Sequence, residues 1–175
     1  MANRKLTQER LKELVSYDPE TGKFTWIRRE GHSASVRRWN ARWAGREAGS
    51  HHCRGYMRIC IDSVDYKAHH LVWLYVYGTF PSCIIDHENR DASDNRIANL
   101  RLATASQNGA NKGVSRANRS GAKGVCWHAT LRKWQAEIRV NGRKVYLGVF
   151  SEIDAARAAY EAAANLYFGQ FAASD

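Results

Sequence analysis

The stretch Ile85-Asp86-His87-Glu88-Asn89-Arg90-Asp91, continued by Asp94-Asn95-Arg96-Ile97-Ala98-Asn99-Leu100-Arg101 and closed by Gln107-Asn108, decides how this chain is read. A carboxylate stands beside a histidine at the end of the apolar run Cys83-Ile84-Ile85, which reads as a short buried strand. Asn99 follows His87 by twelve residues, and Asn108 follows Asn99 by nine. Hydrolysing a phosphodiester requires a deprotonated water, neutralisation of the charge that builds on phosphorus, and a stabilised leaving oxygen. An imidazole titrates near neutrality, so His87 is a candidate general base. The Asp86 carboxylate and the Asn108 side-chain carbonyl are hard oxygen donors suited to magnesium or manganese. Neighbouring side chains on a strand point to opposite faces. Asp86 and His87 can therefore address one phosphate only if the strand ends and bends between them.

This order of residues resembles the HNH nuclease motif with asparagine in its last place, as in phage and intron-encoded homing endonucleases. The resemblance covers roughly residues 55–112 and implies a ββα-metal fold, a hairpin followed by a helix crossing it. It implies that Asp86 and Asn108 hold one divalent cation, Mg2+ or Mn2+, and that His87 is the base. Asn99 would tie down the hairpin backbone and so hold His87. Asn89 and Asn95 would support the intervening loop, and Ile97, Leu100 and Leu102 would pack the helix on the hairpin. Cleavage would leave a 5′-phosphate and a 3′-hydroxyl. One active site per chain implies one strand cut per event.

The pair His69-His70 precedes the apolar run Leu71-Val72. One of the two could join the metal site or touch a phosphate, with His70 the candidate supporting residue beside Asn95. A histidine satisfied within the core or at its edge is the favoured reading. His51-His52 has no carboxylate near it in sequence and reads as part of a solvated loop.

The chain carries 27 Lys+Arg against 17 Asp+Glu, a net charge of +10. A polyanion is the natural partner, since each neutralised phosphate releases counterions; double-stranded DNA is the expected one. No apolar run approaches a membrane span. Met1-Ala2-Asn3-Arg4-Lys5 leads into an amphipathic stretch, not a signal peptide. An intracellular protein is expected, in the host cytoplasm if phage-encoded, with no membrane partner and no small-molecule cofactor. Cys53, Cys60, Cys83 and Cys126 show no paired spacing. They read as reduced thiols, and no structural zinc is expected. A monomer or weak dimer is expected.

Around the motif, Thr7 to Val15 reads as a helix with Thr7 as N-cap and Leu6, Leu11, Leu14 and Val15 on one face. Residues 17–23 read as a turn and Phe24 to Ile27 as a short strand. Residues 28–52 are basic and rich in Gly, Ser and Arg, and read as a long loop, either mobile surface or an excursion over DNA. Trp39 and Trp43 within it argue for partial packing. Gly55 to Ile61 alternates as a strand, 62–65 turns, and Tyr66 to Tyr77 is a return strand running into a helix closed by Gly78. Residues 109–122, with little to bury, read as a basic linker that is flexible when free.

Beyond it, Gly124 to Trp127 reads as β, Trp134 to Val140 alternates, Asn141-Gly142 signals a hairpin, and Lys144 to Phe150 returns. Ser151 stands as N-cap of an alanine-rich helix ending near Gly169. Lys123-Gly124-Val125, Lys133 to Arg139, Tyr146 to Phe150, Ala155 to Ala163 and Phe168-Gly169 together resemble the plant ethylene-response-factor (APETALA-type) DNA-binding domain. That resemblance implies a three-stranded sheet laid in the major groove. Its implied contacts are Trp127, His128, Arg132, Glu137, Arg139, Lys144 and Tyr146. Cys126, His128 and Tyr146 depart from the plant pattern, so a target sequence is not inherited.

The expected fold is α+β: a central ββα-metal HNH nuclease fold plus a small C-terminal three-stranded antiparallel sheet packed on one helix. The expected segments are 1–54 (N-terminal helix, short strands and basic loop), 55–112 (nuclease), 113–122 (linker) and 123–175 (DNA reader). The expected function is a metal-dependent, site-specific DNA endonuclease of phage or intron homing type. The alternative is a non-catalytic DNA-binding regulator on a degenerate nuclease fold.

Overall fold

The computed structural model describes residues 6–52 and 55–173. The N-terminal lead (residues 1–5) and Cys53, each the subject of an expectation above, lie outside the described residues. The architecture is mixed α and β with small antiparallel sheets, and contacts divide the chain into two units, Met1–Leu102 and Ala103–Asp175. Among the described residues no helix is long and apolar enough to cross a membrane.

In the first unit, α1 (Gln8–Leu14) starts where the Thr7 side chain accepts the Arg10 N–H at 3.2 Å. The helix stops one residue earlier than its apolar face suggests. Val15, fully buried, opens β1 (Val15–Asp18), which pairs antiparallel with β2 (Lys23–Trp26). Tyr17, expected in a turn, is therefore on a strand opposite Phe24. Strands β4 (Met57–Ile61) and β5 (Val64–Lys67) form a second hairpin, turned by Asp62 and Ser63 at positive φ, and β3 (Ser50–His51) joins its edge. Helix α3 (Ala68–Tyr77) follows β5 directly and ends at Gly78. Leu11, Phe24, Ile59, Ile61, Leu71 and Val72 close the core, each contributing roughly 1.5–3 kcal/mol.

The expected long loop at 28–52 is not a loop throughout. Residues Ala34–Trp43 form a helix, α2, capped by the Ser33 side chain accepting the Val36 N–H at 3.2 Å. The Val36, Trp39 and Trp43 spacing carried this signal, but the charged residues between them hid it.

Strand β6 (Ile84–His87) pairs with β7 (Leu100–Ala103), and α4 (Ala105–Asn111) follows. Two expectations change here. Cys83 and Ile84 are exposed, while Ile85, Asp86 and His87 are the buried part of the strand. Ile97–Asn99 is a single 3-10 turn, and Leu100 and Leu102 lie on β7, with Leu102 facing solvent. Those residues do not form the helix; Thr104 starts it with a capping box to Gln107.

In the second unit, β8 (Val125–His128), β9 (Lys133–Val140) and β10 (Arg143–Phe150) form an antiparallel sheet with β9 central. Asn141 and Gly142, both at positive φ, make the tight β9–β10 turn. Ala136 and Ile138 point to α5 (Ile153–Phe168), where Ala156, Tyr160, Ala163 and Ala164 are buried. The helix N-cap is Glu152 without a side-chain bond, not Ser151. Residues 113–122 are not a free tether. Asn118 Oδ1 accepts the Ser120 N–H at 2.7 Å, the Ser120 hydroxyl donates to the Val125 carbonyl at 2.8 Å, and Ala122 is buried in the sheet–helix core.

Candidate active site

Asp86 and His87 stand at the end of β6, at 4% and 6% exposure. The strand includes both residues, and their side chains meet different partners. Asp86 Oδ2 accepts Arg101 Nε from β7 at 3.0 Å, and Arg101 also lies 3.8 Å from Glu88. His87 Nε2 lies 3.5 Å from Asn95 Oδ1, and its ring packs near Tyr56 and His69.

The loop after His87 is held by side-chain amides. Asn99 Oδ1 accepts the Asn89 N–H at 3.0 Å, and Asn99 Nδ2 donates to the Asp94 carbonyl at 2.9 Å. The backbone adds Glu88 N–H to the Asn99 carbonyl at 2.9 Å. Asn99 thus ties the exit of β6 to the entry of β7, and replacing it would remove the side-chain partner of two part-buried backbone groups. Asn95, at 3% exposure, donates to the Ser93 carbonyl and faces His87. Asn89 donates to Asp94 at 2.7 Å, and Asp94 in turn pairs with Arg96.

Two features were invisible in the motif. From β1, Tyr17 donates its hydroxyl hydrogen to the Asn95 carbonyl at 2.9 Å and accepts the Ile97 N–H at 2.9 Å. From the β1–β2 turn, Gly22 lies so close that a Cβ there would stand 2.4 Å from Arg96 N and 2.6 Å from Asn95 C. The first hairpin is therefore the mount of the loop that faces His87. No local sequence pattern predicts a contact across almost eighty positions.

The ring of His69 meets His87 edge-on at 5.0 Å and that of His70, the expected supporting residue, at 4.7 Å. His69 is 3% exposed, and its Nδ1 has no hydrogen-bond partner among the described residues. Burial, followed by the charges of His70, His87 and Lys67, pushes its pKa down to about 3. Burial also lowers His87, partly offset by the Asn95 contact and by Asp86, Asp91 and Asp94. Both imidazoles are neutral at neutral pH. The unfolded chain binds a proton on His69 near 6.5 and the folded chain only near 3. Stability is then expected to fall as pH drops through that window. Urea denaturation at about pH 7 and about pH 5 should show the loss, and His69→Leu should make it smaller.

Asn108 lies on α4 in the second unit, half-buried, with its N–H bonded to the Thr104 carbonyl at 2.9 Å. In that unit the register sets Lys144 opposite Arg139 and Tyr146 opposite Glu137 on the sheet face away from α5. Lys144 and Glu137 form an ion pair at 2.7 Å. His128 shares that outer face but accepts the Leu131 N–H through Nδ1, and Arg132 sits at positive φ in the β8–β9 turn. Trp127 is different. It pairs with Trp134, whose alternation places it on the α5 side, so Trp127 is at the edge of the helix-facing surface despite being half exposed. It does not share a face with the other expected contacts.

An acid-histidine pair closing one strand, an asparagine pinning the loop behind it, and a return strand are features of an HNH nuclease site. Residues 66–110 match the family described as HNH endonuclease. The chain is also 31% identical over 83 residues to "Protein 3.8" of Escherichia phage T7, a similarity covering 45% of this chain and 69% of that protein. The chain is thus a relative of that phage protein, and the match over residues 66–110 supports an HNH nuclease domain, which implies DNA as substrate. No solved structure matches it.

Proposed function

We propose that the protein is a metal-dependent, site-specific DNA endonuclease of phage or intron homing type that nicks one strand per active site. The observation that carries this reading is His87: buried, kept neutral, and oriented by Asn95 inside a loop pinned by Asn99. With the proton on Nε2 toward Asn95 Oδ1, the lone pair of the ring lies on Nδ1, where it takes a proton from the attacking water. Asn99 acts through the backbone that carries His87.

The donor chemistry fits a hard divalent ion. Asp86 offers a buried carboxylate, which would have to share or release its Arg101 partner to hold the ion. Asn108, assigned by the family pattern, offers an amide oxygen. Among the described residues no three His, Cys, Asp or Glu side chains converge as a metal set. Mg2+ and Mn2+ take few protein ligands and fill their remaining positions with phosphate oxygens and water. Bound there, the cation supplies positive charge against the phosphate and the leaving oxygen. The outer face of the C-terminal sheet, with Gln135, Arg139, Lys144 and Tyr146, is the base-reading surface in this reading, since sheets fit the major groove and arginine pairs with guanine. Lys144 must then release Glu137 for that carboxylate to meet a cytosine amine.

Supercoiled plasmid incubated with the protein and Mg2+ or Mn2+ should become open circle, and EDTA should abolish the conversion. The Asp86–Arg101 pair favours one rival, a regulator in which arginine has replaced the cation. DNA binding without nicking under either ion would establish that rival instead.

A further inference from the structure

Helix α2 is the most basic element of the first unit. Its flanks and length carry Arg28, Arg29, Arg37, Arg38, Arg42 and Arg46, all exposed, against the single acid Glu30 between positions 28 and 46. The helix is firmly seated. Asn40, at 8% exposure, accepts the Arg29 N–H at 2.8 Å and donates to the Arg29 carbonyl at 2.9 Å. Trp39 packs edge-on against Trp26 at 5.6 Å, and the Arg29 guanidinium covers its other side at 3.8 Å. At the C-terminal end, the Gly45 N–H donates to the Trp26 carbonyl and the Trp26 N–H to the Arg46 carbonyl.

With Trp39 and Asn40 turned to this seat, helical spacing sets Arg37, Arg38 and Arg42 around Ala34 and Ala41 on the opposite face. Among the described residues no carboxylate pairs with Arg37, Arg38 or Arg42; Arg37 donates to the His32 carbonyl at 2.7 Å, and Arg42 lies over Trp43 at 4.9 Å. Holding such a face together without acids is electrostatically costly unless an anion meets it, and the small alanines between the arginines leave room for a ribbon of phosphates to approach.

The β2 strand joins this face to the catalytic loop. One end of the hairpin, Tyr17 and Gly22, is clamped to Asn95, Arg96 and Ile97; the other, Trp26, is bonded to the end of α2. A duplex resting on α2 is thereby placed in fixed register with the loop that orients His87.

We propose that the outer face of α2, through Arg37, Arg38 and Arg42, docks the phosphate backbone of the DNA duplex in register with His87. This rests on the endonuclease reading above, but its test does not require cleavage. Binding of a fluorescein-labelled duplex to the full chain is measured by anisotropy in EDTA over a series of salt concentrations. Neutralising three phosphate contacts in R37Q/R38Q/R42Q should lower the log–log salt slope by roughly 2–3 units and weaken binding about ten- to hundredfold at moderate salt. R37K/R38K/R42K should restore most of the affinity, because phosphate binding needs charge more than fork geometry. Lys12→Gln, on α1, should change neither quantity. An unchanged slope in the glutamine variant overturns the proposal, as does failure of the lysine variant to restore binding. A loss confined to phosphatidylglycerol vesicles, with duplex binding intact, also overturns it and assigns the face to a membrane surface. Absence of nicking by the unmodified protein sinks the endonuclease reading and leaves this binding result standing on its own.

Discussion

His87→Ala is expected to slow single-turnover plasmid nicking by about 10²–10⁴-fold, the usual worth of a positioned general base. Affinity for duplex DNA should stay close to that of the unmodified protein. The side chain is 6% exposed and carries no net charge at neutral pH, so removing it deletes a proton acceptor and not a phosphate contact. Rate and dissociation constant must be measured separately, the first at saturating protein and the second in EDTA. Loss of the ring also opens space beside Tyr56 and His69, so thermal melting should accompany the assay. His87→Gln fills more of that space and should be as slow. A large loss of affinity with little change in rate would remove His87 from the role of base.

Gly22→Ala is expected to destabilise the first unit by about 2–4 kcal/mol and to impair nicking with it. Gly22 holds φ +72, a region that costs a side chain strain, and the added Cβ would stand 2.4 Å from the Arg96 backbone nitrogen. Backbone cannot swing aside as a flexible side chain can. Relief must come from the hairpin or from the loop at Asn95–Arg96, and moving that loop shifts the amide beside His87. Urea titration measures the first effect. The activity remaining at full folding measures the second, and wild-type stability in this variant would show that the hairpin does not clamp the loop.

Much of the fold was legible because its signals are local. Thr7 caps a helix through its own neighbour's N–H, Asn141-Gly142 turns a hairpin through its own positive φ angles, and Ala136 and Ile138 alternate toward a helix made of alanines. The failures share one cause. The sequence reads α2 as a loop because arginines interrupt its seat residues, and that seat is completed by Trp26 and the Arg29 backbone, outside the helix itself. Residues 97–102 were read as helix-packing positions, whereas cross-strand bonding to β6 takes Leu100 and Leu102 into a strand. The 113–122 segment has the composition of a tether, yet Asn118 and Ser120 fold it by bonding to their own surroundings.

The candidate site divides in the same way. The residue types suited to the proposed chemistry, Asp86, His87, Asn99 and the basic character of the whole chain, are written in the sequence, because proton transfer and charge belong to side chains one at a time. Which imidazole sits beside His87, what Asp86 is paired with, and what fixes the Asn95 loop are decisions of the tertiary structure. His69 over His70, Arg101 from the returning strand, and Tyr17 with Gly22 from a distant hairpin act through burial and contact, and those exist only once separated segments have closed on one another.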